Sequence, residues 1–153
     1  MEDSEYEAFA KEMHEKHPVM FSRPFGGFCI GPGWYQIIRS LCGNIQAHIN
    51  SVECARTSLV LRNPWNRPIP KQVPQVIVTQ IKEKFGGLRF YHDGGDDMVE
   101  GMVHMAESWA AHTCETCGNH GVGRSVGGWL TTLCDMHYNE RLDKIKERNN
   151  EYR

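Results

Sequence analysis

No run of apolar residues in this 153-residue chain approaches the roughly 18 that a bilayer-spanning helix requires, so a transmembrane helix is excluded. The first seventeen residues, MEDSEYEAFAKEMHEKH, are acidic and polar where a secretory signal is basic and then apolar. The expectation is a cytosolic protein with no membrane partner. Without an export signal, the six cysteines read as free thiols or metal ligands rather than a disulfide framework. The glycine-rich segment PFGGFCIGPGW (24–34) lacks the following Gly-Lys-Ser/Thr, and no clear strand precedes it. That argues against a phosphate cradle and leaves a turn-rich connector. No serine or cysteine has a base partner recognisable by motif, so the sequence gives no sign of nucleophilic catalysis.

Charge is scarce in net terms but segregated. The total is −2. Residues 1–17 carry six acids against two bases, residues 18–92 nine bases against two acids, and residues 93–117 six acids with no lysine or arginine. The basic middle also holds nine of the fifteen aromatics. Two readings follow: a surface for an anionic partner, or a basic segment neutralised by its acidic neighbours within the monomer.

Apolar spacing predicts the elements. Tyr6, Phe9 and Met13 mark a helix over 3–17, capped by Asp3 or Ser4 and closed by Pro18. Trp34, Ile37, Ile38, Leu41, Ile45 and Ile49 mark a central helix over 33–49. Four prolines in NPWNRPIPKQVP (63–74) exclude regular helix or central strand. QVIVTQIKEKFGGLRFY alternates like a β-hairpin, with Ile77, Thr79, Ile81 and Glu83 on one face and the turn at Gly86-Gly87. Asp96 or Asp97 caps a helix to about His112 with the stripe Met98, Met102, Met105, Trp109, and a last helix covers about Leu133 to Asn149. Cys29, Cys42 and Cys54 read as small buried hydrophobes.

The strongest chemical signal is CETCGNHGVGRSVGGWLTTLCDMH. Cys114 and Cys117 form a C-x2-C knuckle whose turn Gly118 relieves, and Cys134 and His137 follow at i and i+3 in the first turn of a helix. Three thiolates and an imidazole fill a tetrahedral zinc site with no open position, the structural rather than the catalytic arrangement. A knuckle, a glycine-rich hairpin (122–130) and a ligand-bearing helix resemble a treble-clef zinc finger. His112 and His120 flank the knuckle and are alternatives to His137.

Other candidates are weaker. Glu100, His104 and Glu107 share a helical face, as do metal carboxylates, although exposed charge pairs do the same. The His92–Asp97 segment reads as a turn plus helix cap, and His14 and His17 as solvated. Lys82, Lys84, Arg89 and Tyr91 of the hairpin, joined by Arg124 and Trp129, offer cations and aromatic faces to a phosphate-bearing base. A solvated ribbon face is the plainer reading of the same residues.

Together the helix GWYQIIRSLC, the hairpin IKEKFGGLRFY and the module CETCGNHG…GGWLTTLCDMH resemble a family of small proteins of bacteriophages and prophages, over residues 33–138. That family has no established activity, so the resemblance implies no catalytic residue. It implies a setting in the bacterial host cytoplasm during infection and supports pairing Cys134 with His137. The expectation is an α+β fold, with helices on a small antiparallel sheet: an α+β core over 1–112 and a treble-clef-like zinc module with the C-terminal helix over 113–153, packed on the same core. The expected function is non-enzymatic binding of a host protein or nucleotide signal, in a counter-defence role, with one structural zinc. Nucleic-acid binding through residues 18–92 and a metal-dependent nuclease at 92–107 are the alternatives, and neither partner nor oligomeric state is fixed by sequence.

Overall fold

The computed structural model describes residues 2–151. Four helices and two small sheets follow one another as α1 (Glu2–Lys16), β1 (Phe28–Cys29), a 3-10 turn (Pro32–Trp34), α2 (Tyr35–Leu61), β2 (Ile77–Lys84), β3 (Gly87–Asp93), α3 (Asp97–Ala110), β4 (Val122–Val126), β5 (Trp129–Leu133) and α4 (Asp135–Glu151). The α+β expectation holds. No helix among the described residues is long and apolar enough to cross a membrane.

The main core lies between α1, α2, α3 and one face of the sheet β1-β2-β3. Trp34, Ile37, Ile38, Leu41, Ile45 and Ile49 are all buried, as the helical spacing requires. Phe9 of α1 stacks on Tyr35 (centroids 4.0 Å apart) and meets Phe28 edge-on at 4.8 Å. A second, much smaller cluster joins Cys114, Val126 and Leu133 to Tyr138, Leu142 and Ile145 of α4.

Several boundaries depart from expectation for identifiable reasons. α1 begins at Glu2, which places Asp3 and Ser4 inside the helix rather than ahead of it. α2 runs twelve residues past Ile49, because nothing in 50–61 breaks a helix; Arg62 turns extended just before Asn63-Pro64. The glycine-rich connector contributes β1, which pairs in parallel with β2, so the sheet is mixed rather than wholly antiparallel. Simple alternation in β2 also fails. The register shifts between Val78 and Gln80, so that Val78 and Ile81, three residues apart, are both buried.

The β2–β3 turn sits one residue earlier than the Gly-Gly pair suggests. Lys84 pairs with Gly87, leaving Phe85 (φ 54°) and Gly86 (φ 80°) as the central residues of a two-residue turn with positive φ at both positions. A bulky residue in the left-handed region costs about 1–3 kcal/mol, and here it holds the Phe85 ring out in solvent.

Helix α3 turns Val99, Val103, Ala106 and Ala110 to the core. The methionine stripe is offset from that face: Met98, Met105 and Trp109 are exposed. Asp96 is the N-cap, its carboxylate accepting from the Val99 amide at 3.1 Å and from His48 Nε2 at 2.9 Å. Asp96→Ala is therefore expected to cost about 1–2 kcal/mol, and Asp97→Ala no more than about 0.5 kcal/mol. Urea unfolding of the two variants checks this, and equal losses would show that Asp96 is not the cap.

Candidate metal centre

Four side chains from three local elements converge at the C-terminal end of the chain. Cys114 and Cys117 come from the knuckle after α3, whose turn closes with Gly118 donating to Cys114 O (2.9 Å) at a φ of 78° that glycine accepts without strain. Cys134 follows β5 at the N-cap position of α4, and His137 lies in that helix's first turn, with Tyr138 N donating to Cys134 O at 3.0 Å. The spacing i, i+3 puts both on one side of the helix start.

The ligand atoms of Cys114, Cys117, Cys134 and His137 all lie within 4.8 Å of one another. Cys117 Sγ is 3.9 Å from Cys134 Sγ, and His137 Nδ1 is 3.6 Å from Cys114 Sγ and 3.2 Å from Cys134 Sγ. Tetrahedral zinc with bonds of about 2.3 Å to sulfur and about 2.0 Å to nitrogen requires edges near 3.5–3.8 Å. The three separations above lie within about 0.3 Å of those edges, so the donor set could hold one such ion. His137 turns Nδ1 to the sulfurs and would bind an ion through it, with Nε2 3.9 Å from Glu140. A carboxylate behind the far ring nitrogen is a usual orienting partner of a ligating histidine.

Electrostatics agree. Burial opposes ionisation of Cys114, but backbone amides of Cys134, Cys117 and Thr116 outweigh it and bring the thiol down to about 6. Cys117 is pushed up, first by desolvation and then by its sulfur neighbours. A cation at the centre of the three sulfurs would remove that mutual repulsion. With four protein donors no coordination position remains open, so the arrangement can hold a metal but offers it no substrate.

His112 and His120, which also flank the knuckle, lie outside this cluster, and no other set of three His, Cys, Asp or Glu side chains gathers among the described residues. Glu100 instead faces His92 at 3.4 Å, and Glu107 accepts from Phe90 N and pairs with Arg89 at 3.7 Å. Asp93 pairs with Arg23 at 2.8 Å. Of the remaining cysteines only Cys42 is buried; Cys29 and Cys54 are exposed, which corrects their reading as core residues. Nor is His17 simply solvated, since its Nδ1 is buried without a partner, while His14 packs on Phe21 and Phe25.

The hairpin candidates are partly brought together. Lys82, Lys84, Arg89 and Tyr91 share the sheet face opposite to the buried Ile81, Leu88 and Phe90, and Lys82 Nζ lies 5.5 Å from the Tyr91 ring centroid. Trp129 approaches Lys84 across the cleft between the two hairpin tips. Arg124 does not join them. It bonds Leu133 O at 3.2 Å, pairs with Asp135 and lies over the Tyr138 ring at 4.5 Å, bracing β4 to α4. A concavity of about 590 Å³ between α2 and α3 is lined by Met98, Met102, Met105 and Trp109, with Asp97 its only charged residue. It lies on the helical layer, away from the metal ligands.

One functional region escaped sequence reasoning. The connector 30–33 is the surface on which the metal knuckle docks. Gly33 N donates to Glu115 O (2.8 Å), Gly31 N to the Glu115 carboxylate (3.2 Å), and buried Trp34 Nε1 to Thr113 O (2.8 Å). From the other side, Thr132 Oγ1 donates to Gly86 O at 2.7 Å, tying β5 to the tip of the first hairpin. The only sequence signal was the density of small residues in 26–33. No known protein family, curated protein or solved structure matches this chain.

Proposed function

We propose that the chain is a zinc-stabilised, non-enzymatic binding protein, with a treble-clef-like module as its rivet and the solvent face of the β2–β3 hairpin as its ligand surface. The observation that carries this reading is the closed Cys3His cluster, whose geometry matches a structural zinc site and leaves no open position for chemistry. Cations Lys82, Lys84 and Arg89 beside Tyr91 suit a phosphate-bearing base, hence a nucleotide signal. The phage-infected bacterial cytoplasm, a host protein as alternative target and a counter-defence role are proposed on the motif resemblance alone.

Charge pairing argues against general nucleic-acid binding by residues 18–92, while Lys82 and Lys84 of the hairpin face have no ion-pair partner among the described residues. Four of the nine bases there are ion-paired within the monomer: Arg23 with Asp93, Arg39 with Glu12, Arg56 with Glu53 and Arg89 with Glu107. Five bases remain for phosphate contacts, and the chain's net charge of −2 opposes their field, so duplex DNA at physiological salt should not bind tightly.

The test is a native mass spectrum of protein purified from bacterial cells, expected to show one zinc per chain and a retained nucleotide. Lys84→Glu with Arg89→Glu should release the nucleotide and keep the zinc. Two tightly held zinc ions would show that the ligand set is misassigned, and full nucleotide retention in the double variant would place the ligand elsewhere.

A further inference from the structure

We propose that the cleft between the β4–β5 hairpin and α4 is a binding site for single-stranded nucleic acid, with Trp129 as a stacking platform and Arg141, Lys144 and Arg148 as phosphate contacts. Trp129, Arg141, Lys144 and Arg148 all lie off the hairpin face discussed above, with Lys84 bordering both, so variants at these four positions test this site alone.

Trp129 is 81% exposed, on the hairpin tip next to the Gly127-Gly128 turn. An indole left this open buries almost none of its apolar area in the fold, where its transfer from water would contribute most. Beneath it opens a cleft of about 460 Å³ lined also by Val126, Ile145 and three cations of α4. Those cations sit at i, i+3 and i+7, which places them along one helical face.

None of the three has a carboxylate within ion-pair distance among the described residues. Three acids of α4 are engaged elsewhere: Asp135 pairs with Arg124, Asp143 with Lys146, and Glu140 faces His137. Arg141 is oriented by Nη1 donating to Thr131 Oγ1 at 3.3 Å and Nη2 to Thr116 Oγ1 at 3.5 Å, and its charge also acts on the Glu115 carboxyl from beyond ion-pair distance. Three cations in a row, none with an ion-pair partner among the described residues, beside an open aromatic face supply the two elements that a strand of unpaired nucleotides requires: backbone charge compensation and a surface for base stacking.

The geometry favours a polymer over a free nucleotide. Trp129 also walls a second cleft of about 450 Å³, whose other side carries Lys84 and the 76% exposed ring of Phe85. Two open aromatics and cations on two hairpins and a helix make a strip, and one base would occupy only one end. A duplex is disfavoured because its base faces are already stacked and cannot reach Trp129 without unpairing.

The test uses the full zinc-loaded chain and fluorescence anisotropy with a labelled oligothymidylate of about 15 nucleotides. Binding is expected at about 50 mM salt and should weaken steeply by about 200 mM. Trp129→Ala should weaken it about tenfold or more, while Trp129→Phe retains most of it. Lys144→Gln with Arg148→Gln should reduce the slope of log affinity against log salt by about 1.4, since each lost phosphate contact on a single strand removes about 0.7. Zinc content and circular dichroism should match the parent in every variant, as all three positions are on the surface. Absence of binding at low salt overturns the proposal. So does equal affinity for polyglutamate or for a duplex of the same length, full competition by thymidine monophosphate at equal phosphate concentration, or indifference to both the Trp129→Ala and the glutamine variants.

Discussion

Cys117→Ser is expected to yield a chain that no longer retains metal and whose C-terminal part no longer folds cooperatively. Cys117 is itself exposed, so the change from sulfur to oxygen creates no cavity, and any large effect must come through the ion. The apolar cluster under the module contains only Cys114, Val126 and Leu133 as buried members, far too little to order β4, β5 and the start of α4 unaided. Structural zinc contributes about 10 kcal/mol or more of apparent binding free energy in modules of this kind. That is comparable to the total stability of an ordinary domain, roughly 5–15 kcal/mol. Elemental analysis and thermal melting of the variant, alongside the parent protein treated with a strong chelator, should show the same loss. A metal-free variant that melts at the parent's temperature would remove the structural role assigned to the ion.

Gly33→Ala is expected to destabilise the protein by about 3 kcal/mol, near the upper end for an added methyl group, because the neighbour it meets is backbone. A Cβ at Gly33 would lie 2.1 Å from Cys114 O and 2.5 Å from Gly118 N, the two atoms that close the knuckle turn. Neither can rotate away as a side chain would. Relief requires separating the knuckle from the connector, with loss of the Gly33–Glu115 bond and displacement of the Cys114 thiolate from the other ligands. Gly43→Ala is the matched control. Gly43 lies inside α2 with nothing within 4 Å of an added methyl group, so alanine there should stabilise the helix by up to about 1 kcal/mol. Opposite signs in chemical denaturation are the expected outcome; two small, similar effects would show that the knuckle does not bear on residue 33.

The contrast between these glycines shows where sequence reasoning reached its limit. Local order is written in short-range pattern. The spacing of Trp34, Ile37, Ile38, Leu41, Ile45 and Ile49 fixes the buried face of α2 by helical geometry alone, and all six are buried. The metal ligands were legible for the same reason: a C-x2-C turn and an i, i+3 pair each present two donors from a few residues of chain, and two such pairs complete one coordination sphere. A cap at Asp96 or Asp97 was legible from their place before the helix, and the structure selects Asp96.

Elements whose position depends on distant partners were not legible. The bulge at Val78/Gln80 is invisible to alternation, since an inserted residue changes which face is buried without changing composition. The methionine stripe of α3 has ideal helical spacing yet lies beside the face that packs, because the sheet and α2 select Val99, Val103, Ala106 and Ala110 instead. Phe85 occupies a turn position that its residue type disfavours, held there by the pairing of Lys84 with Gly87.

The sequence by itself thus determined the existence of the helices and of the first hairpin and the three cysteines of the ligand set, each governed by periodicity or by bonds spanning a few residues. The choice of His137 over His112 and His120 came from the tertiary structure. Only the tertiary structure decided that the glycine-rich connector is the seat of the metal knuckle, that Arg124 is a brace rather than a ligand contact, and that Trp129 stands open beside Arg141, Lys144 and Arg148. The physical reason is common to all three: which face of an element is covered depends on packing against residues tens of positions away, and no local pattern records what will lie across from it.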